Sequence, residues 1–278
     1  MGGIIDKITE FIKELLQGWV LTNLETMFTD VNDKVGTIAG EVSKTPSTWN
    51  SGIFDMIKTL SDNVMIPIAG MIISFVLVYE LISMVIDKNN LHDFNTAIFI
   101  RFFMKACIAV MLLSKTFDIV MAVFDVGSHI VNSAASAITG STSIDVASTL
   151  QTMFNEQFSE MSIGELLGLG METMIVSLCM KIMSVLITVI LYGRMIEIYL
   201  YVSVAPVPCA TVTNREWGTI GTNYFKGLCA LAFQGFFMMV CVAIYAVLVA
   251  GVAVSDNLHT ALWSVAAYTV ILCFSLFK

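Results

Sequence analysis

Six ionisable residues stand inside segments otherwise built of Ile, Val, Leu, Met and Phe: Glu80, Arg101, Lys105, Lys181, Arg194 and Glu197. An unpaired charge near the centre of a bilayer costs at least about 2.5–3.5 kcal/mol, so each must be paired, wetted or kept for use. Arg101 and Lys105 are four residues apart and share a helix face. Glu80 would lie about 9 Å from the inner end of its helix and the two cations at about 6 and 12 Å, so a clamp between antiparallel neighbours is natural. Arg194 and Glu197 are spaced for an i, i+3 pair. Lys181 falls near the membrane midplane if its helix spans 173–193, or at the outer boundary if it spans 182–204. Lys181, Arg194 and Glu197 are the candidate functional charges, and Glu80, Arg101 and Lys105 are candidate helix-pairing charges. Binding or conduction is the chemistry these residues suit.

Bond-making chemistry finds little support. The chain has no H-E-x-x-H, nucleophile elbow, P-loop or G-x-G-x-x-G. His92, His129 and His259 are far apart, and the six cysteines sit in apolar segments without a C-x-x-C pair. The expectation is a non-enzyme with no cofactor and no metal, for which phospholipid is the one small molecule that could bind.

The elements that must carry these residues follow from hydropathy. The 278-residue chain is 57% hydrophobic and only 13% charged, with a mean hydropathy of +0.83. Apolar runs of about 20 residues suffice to cross a bilayer. The expected fold is all-α and polytopic, with about five spans plus amphipathic helices at the N-terminus and in a central loop. Residues 1–63 form an N-terminal amphipathic or interfacial region, in which Ile4, Ile8, Phe11, Ile12, Leu15 and Trp19 recur at helical spacing. Residues 64–124 form a hairpin of two spans, Val64–Ile86 and Ala97 to about Phe124, joined at Asp87–Asn90. A central loop covers 125–162 and includes an amphipathic helix from about Ile144 to Met161. Spans three to five occupy 163–278, with a segment at 194–226 kinked at Pro206 and Pro208. Within it, 195–212 could be a helix extension, a re-entrant segment or a sixth span.

Orientation comes from the cations. Residues 116–180 hold seven acids and no lysine or arginine, and short cation-free loops lie outside the cytoplasm. Lys88, Arg101, Lys105, Arg194, Arg215, Lys226 and Lys278 mark the inner side. The N-terminus is then extracytoplasmic and the C-terminus cytoplasmic. The net charge of −8 argues against a broad grip on nucleic acid phosphates.

The stretch Gly193-Arg-Met-Ile-Glu-Ile-Tyr-Leu-Tyr-Val-Ser-Val-Ala-Pro-Val-Pro208, followed by Asn223-Tyr-Phe-Lys-Gly227 and Ala230-Leu-Ala-Phe-Gln-Gly235, resembles the TrbL-type polytopic inner-membrane component of conjugative type IV secretion systems. The five-span architecture with a central outside loop is similar to that family over roughly 64–277. The loop is short for the family. The resemblance implies a structural and conduit subunit of the bacterial plasma membrane that forms a homo-oligomeric ring. Its implied partners are secretion ATPases, other membrane subunits and lipids, with nucleic acid met only as cargo. The alternatives are a stand-alone transporter or channel using Lys181, Arg194 and Glu197, and a membrane anchor for an extracytoplasmic complex.

Overall fold

The computed structural model describes residues 2–86, 96–142, 161–214, 216–252 and 258–277. These contain no strand; the elements are ten α-helices and one π-helical turn. Among the described residues, five helices are long and apolar enough to cross a membrane: Ser51–Ile86, Thr116–Ala137, Ile163–Val204, Gly218–Val252 and Leu258–Phe277. The fold is the expected all-α, polytopic one. The chain divides into two compact units, one of Met1–Val42, Val131–Tyr192 and Phe237–Lys278, the other of Ser43–Ile130 and Gly193–Phe236.

Helix α1 is Gly2–Val42, far longer than the apolar repeat ending at Trp19. What carries it on is a second apolar stripe, Val20, Leu24, Met27, Ile38 and Val42, all buried, at the spacing of one helix face. A Cβ at Gly170 would overlap the Trp19 ring, and Asn23 Nδ2 donates to Thr173 Oγ1 at 3.4 Å. Trp19 and Asn23 therefore advance alongside Gly170 and Thr173 in the same direction. The two helical segments run parallel here.

The connection into the first apolar rod is tightly capped. Thr45 and Thr48 form a capping box around α2 (Pro46–Trp49), and Asn50 Oδ1 accepts from Ile53 N at 3.0 Å to start α3 (Ser51–Leu60). A π-helical turn, Ser61–Met65, joins α3 to α4 (Ile66–Ile86). Pro67 explains it: proline has no N–H for the carbonyl four residues back and its ring crowds that group, so the turn widens.

Helix α5 is Thr96–Ser114 and α6 is Thr116–Thr142. The expected second span, 97–124, is thus broken at Lys115. The hydroxyls beside the break bond back into the helix, Ser114 Oγ to Met111 O at 3.0 Å and Thr116 Oγ1 to Leu112 O at 2.8 Å, and such bonds compete with the backbone ladder. Both pieces are apolar, and α6 continues through the first 18 residues assigned to the central loop. Its Ala, Ser and Val residues end no helix. Residues 143–160 of that loop, the 87–95 turn, Arg215, the Asp256 turn and Lys278 lie outside the described residues.

Helix α7 is Ile163–Val204, α8 is Pro206–Thr211, α9 is Gly218–Val252 and α10 is Leu258–Phe277. At the helical rise, 42 residues measure about 63 Å, twice the hydrocarbon thickness. Of the three readings of 195–212, the structure contains the extension of α7 to Val204, ended by Pro206. The six-residue α8 is far too short for a sixth crossing; Pro206, Pro208, Cys209, Ala210 and Thr211 are buried in it, where it packs on α4 and α5.

Candidate functional site

The best-defined polar site lies where α4, α5 and the segment after α8 meet. Glu80, on the penultimate turn of α4, receives Lys105 Nζ of α5 at 2.5 Å on one carboxylate oxygen. Asn214 Nδ2 donates to the other at 3.2 Å. Asn214 is 4% exposed, and its own Oδ1 accepts the backbone N–H groups of Glu216 and Trp217 at 2.8 and 2.9 Å. One buried amide thus closes the turn that starts α9 and ties it to the α4–α5 hairpin.

Of the two cations expected to face Glu80, Lys105 does so. Arg101 is exposed and forms no ion pair with the described residues. Beside the clamp, Tyr79 donates its hydroxyl to Glu216 Oε2 at 2.7 Å. Trp217 stacks between Phe75 and Tyr79, with centroids at 5.5 and 5.2 Å. Tyr79, Glu80, Ser83, Met84, Lys105, Asn214 and Glu216 line a cavity of about 490 Å3. Glu216 reads from the sequence only as part of a charged loop with Arg215 and Lys226, and nothing there marked Asn214 or Trp217. The only available signal was an Asn two residues before a charged residue and three before a Trp, the spacing of an Asx turn.

The stretches that carry the family resemblance pack on each other. Met195, Ile198, Tyr199, Val202 and Ala205 form one buried cluster with Leu228, Leu231 and Ala232, joined by Ile57, Phe117, Val120 and Phe124. Tyr201 stacks on Tyr224 at 5.6 Å, and Tyr224 donates its hydroxyl to Tyr201 O at 2.8 Å. A Cβ at Gly227 would come to 3.0 Å from the Tyr201 hydroxyl, so this close crossing favours glycine. Tyr199, 4% exposed, donates to Pro46 O at 2.6 Å and so anchors α2. Removing that hydroxyl in Tyr199→Phe is expected to cost about 1 kcal/mol. A small fall in the thermal midpoint of the purified protein, with unchanged helix content, is the readout.

The three candidate functional charges do not converge. Lys181 is exposed among exposed Leu178, Ile182 and Val185, and at the helical rise it stands about 20 Å along α7 from Arg194. Glu197 points outward, while Arg194 is 7% exposed and buried. No Arg194–Glu197 ion pair forms among the described residues, and Arg194 Nε is buried without a hydrogen-bond partner. Gln234 Oε1 is in the same condition. Two helical turns from the Tyr201–Gly227 crossing, along each of the antiparallel helices, these two side chains stand at one level.

Pro206 and Pro208 lie buried in α8, which follows the end of α7 at Val204. Burial raises the Cys209 thiol above its ordinary value, keeping it protonated and a poor nucleophile. Among the described residues no three of His, Cys, Asp and Glu gather to hold a metal ion, and all six cysteines are free. His259 Nδ1 meets Glu172 Oε2 at 2.5 Å.

No curated protein and no solved structure is significantly similar to the chain. The family model described as TrbL/VirB6 plasmid conjugal transfer like protein matches residues 31–206. That match takes in the Glu80–Lys105 clamp, the central region and all of α7, and ends at Pro206. Extending over more than half of the 278 residues, it places this multi-pass chain in the TrbL/VirB6 conjugal transfer family.

Proposed function

We propose that the chain is a structural and conduit subunit of a conjugative type IV secretion machine in the bacterial inner membrane. It oligomerises there, contacts secretion ATPases and smaller membrane subunits, and assists passage of a DNA–protein substrate or assembly of a pilus. The cation distribution supports an extracytoplasmic N-terminus and a cytoplasmic C-terminus.

The observation that favours a scaffold over a stand-alone transporter is the saturation of the Glu80 site. Both carboxylate oxygens are engaged, by Lys105 and Asn214, and the Asn214 oxygen holds two backbone N–H groups. A solute site keeps its ligating atoms open for the solute, whereas these atoms bind helices together. The separation of Lys181 from Arg194 along α7 points the same way. Membership of a conjugal transfer family then supplies the machine to which the scaffold belongs.

A mating assay in the native host tests the reading. Deletion of the gene is expected to abolish element transfer without slowing growth, and wild-type protein to restore it. Undiminished transfer from the deletion strain overturns the proposal.

A further inference from the structure

The cavity beside the Glu80 clamp lies wholly within the second unit, and the clamp leaves some of its polar atoms open. Its volume of about 490 Å3 falls in the range of roughly 300–1,000 Å3 typical of ligand sites. Glu80 and Asn214 are spent on Lys105, on each other and on the turn. Lys105 gives Glu80 one of its three N–H groups, and its side chain remains 43% exposed. Glu216 accepts from Tyr79 on one oxygen, while the other has no cation among the described residues. The Ser83 hydroxyl lines the same space.

Two carboxylates against one ammonium leave the cavity with an excess negative charge. A second cation stands at its edge. Ala69 and Ile73 of α4 pack with Ala109 and Leu113 of α5, and Glu80 meets Lys105. The two helices are therefore antiparallel, and Arg101 comes level with Ser83 and Met84. It shares the α5 face of Lys105, is exposed, and has no ion pair among the described residues. The turn before α9 thus contributes an open carboxylate and α5 contributes cations, an arrangement for a ligand carrying both signs of charge.

Three observations put this level at a membrane surface. Helix α4 ends at Ile86, six residues past Glu80, and Asp87, Lys88, Asn89 and Asn90 come next in the sequence. Trp217 stacks between Phe75 and Tyr79, and Trp and Tyr concentrate where hydrocarbon meets water. Val78 and Ile82 of α4 and Phe99 and Phe103 of α5 are exposed, which gives the polar cavity an apolar flank suited to acyl chains. Polar pockets between spans at this level are the usual seats of lipid headgroups. We propose that the cavity holds the headgroup of an aminophospholipid, with its ammonium on Glu216 and its phosphate on Lys105 and Arg101. Such a lipid is a fixed part of the scaffold, bridging α4, α5 and the turn before α9, whatever machine the scaffold serves.

Native mass spectrometry of the purified, delipidated protein tests this with phosphatidylethanolamine, phosphatidylglycerol and phosphatidylcholine as probes. Phosphatidylethanolamine is expected to bind most tightly. Its ammonium has N–H donors that quaternary choline lacks, and phosphatidylglycerol brings no cation to Glu216. Glu216→Gln should weaken phosphatidylethanolamine about tenfold, the loss of one charge-assisted hydrogen bond, and erase its advantage over phosphatidylglycerol. Arg101→Gln, at an exposed side chain without an ion pair, should weaken both of these lipids alike. Should Glu216→Gln fail to fold, the wild-type preference and the loss in Arg101→Gln at a wild-type thermal midpoint carry the test. Equal binding of the three lipids, or unchanged affinity in either folded variant, overturns the site by showing annular lipid only. Tighter binding of phosphatidylglycerol overturns the amine assignment. Full competition by soluble glycerophosphoethanolamine at matching concentration overturns the lipid in favour of a free solute. The mating phenotype of the deletion strain is independent of these spectra, so failure of the secretion reading is separately visible.

Discussion

Asn214→Ala is expected to destabilise the purified protein by on the order of 3 kcal/mol, seen as a fall of several degrees in its thermal midpoint in detergent. The side chain is 4% exposed and makes three hydrogen bonds, to Glu80 and from the backbone of Glu216 and Trp217. Truncation strands three groups at once, and each buried group left unpaired costs about 1–3 kcal/mol. Asn214→Asp separates the roles of the two amide ends. It keeps the oxygen that caps the turn but sets a carboxylate against the Glu80 carboxylate, so it too should destabilise. Adding Glu80→Gln to Asn214→Asp should recover part of the loss, since a carboxamide can donate where a carboxylate cannot. Equal midpoints for wild type and Asn214→Ala would show that the turn and the hairpin do not depend on this residue.

The reasons Asn214 escaped notice apply to much of the fold. Its partner Glu80 is 134 residues away, and they meet only because Pro206 ends α7 and the chain turns back through α8. Hydropathy, by contrast, is a local property, and five apolar helices are legible from it. The Glu80 clamp was legible because helical rise alone puts one acid and two cations at similar depth. Which cation reaches Glu80 depends on the rotation of α5 about its axis, and Arg101 and Lys105 are too alike in spacing to reveal it. The interruption at Lys115 was hidden because no proline or glycine marks it; only the Ser114 and Thr116 hydroxyls bond back into the helix beside it. The regular apolar repeat of helix α1 is plain only as far as Trp19. The stripe from Val20 to Val42 was nevertheless present in the sequence, at helical spacing, among the charges that follow.

The Arg194 side chain gives the second large prediction, in which stability and function move in opposite directions. A guanidinium that is 7% exposed, with its Nε unpartnered, has lost its hydration and gained no acceptor within the described chain. Replacing such buried ions by apolar residues of similar volume is often neutral or stabilising by about 1–4 kcal/mol. Arg194→Met should accordingly raise the thermal midpoint of the isolated protein, while Arg194→Ala should raise it less or lower it, because alanine leaves a cavity. If the acceptor missing from one copy is supplied in the assembled machine, Arg194→Met should abolish transfer in the mating assay despite normal expression. A fall in midpoint for Arg194→Met would mean that the guanidinium already holds the fold, through water or the level partner Gln234. Unchanged transfer alongside a raised midpoint would make Arg194 an idle burden on stability. Loss of transfer with a gain in stability fits a residue whose partner lies outside its own chain, and it is the outcome that the buried, unpartnered Nε leads us to expect.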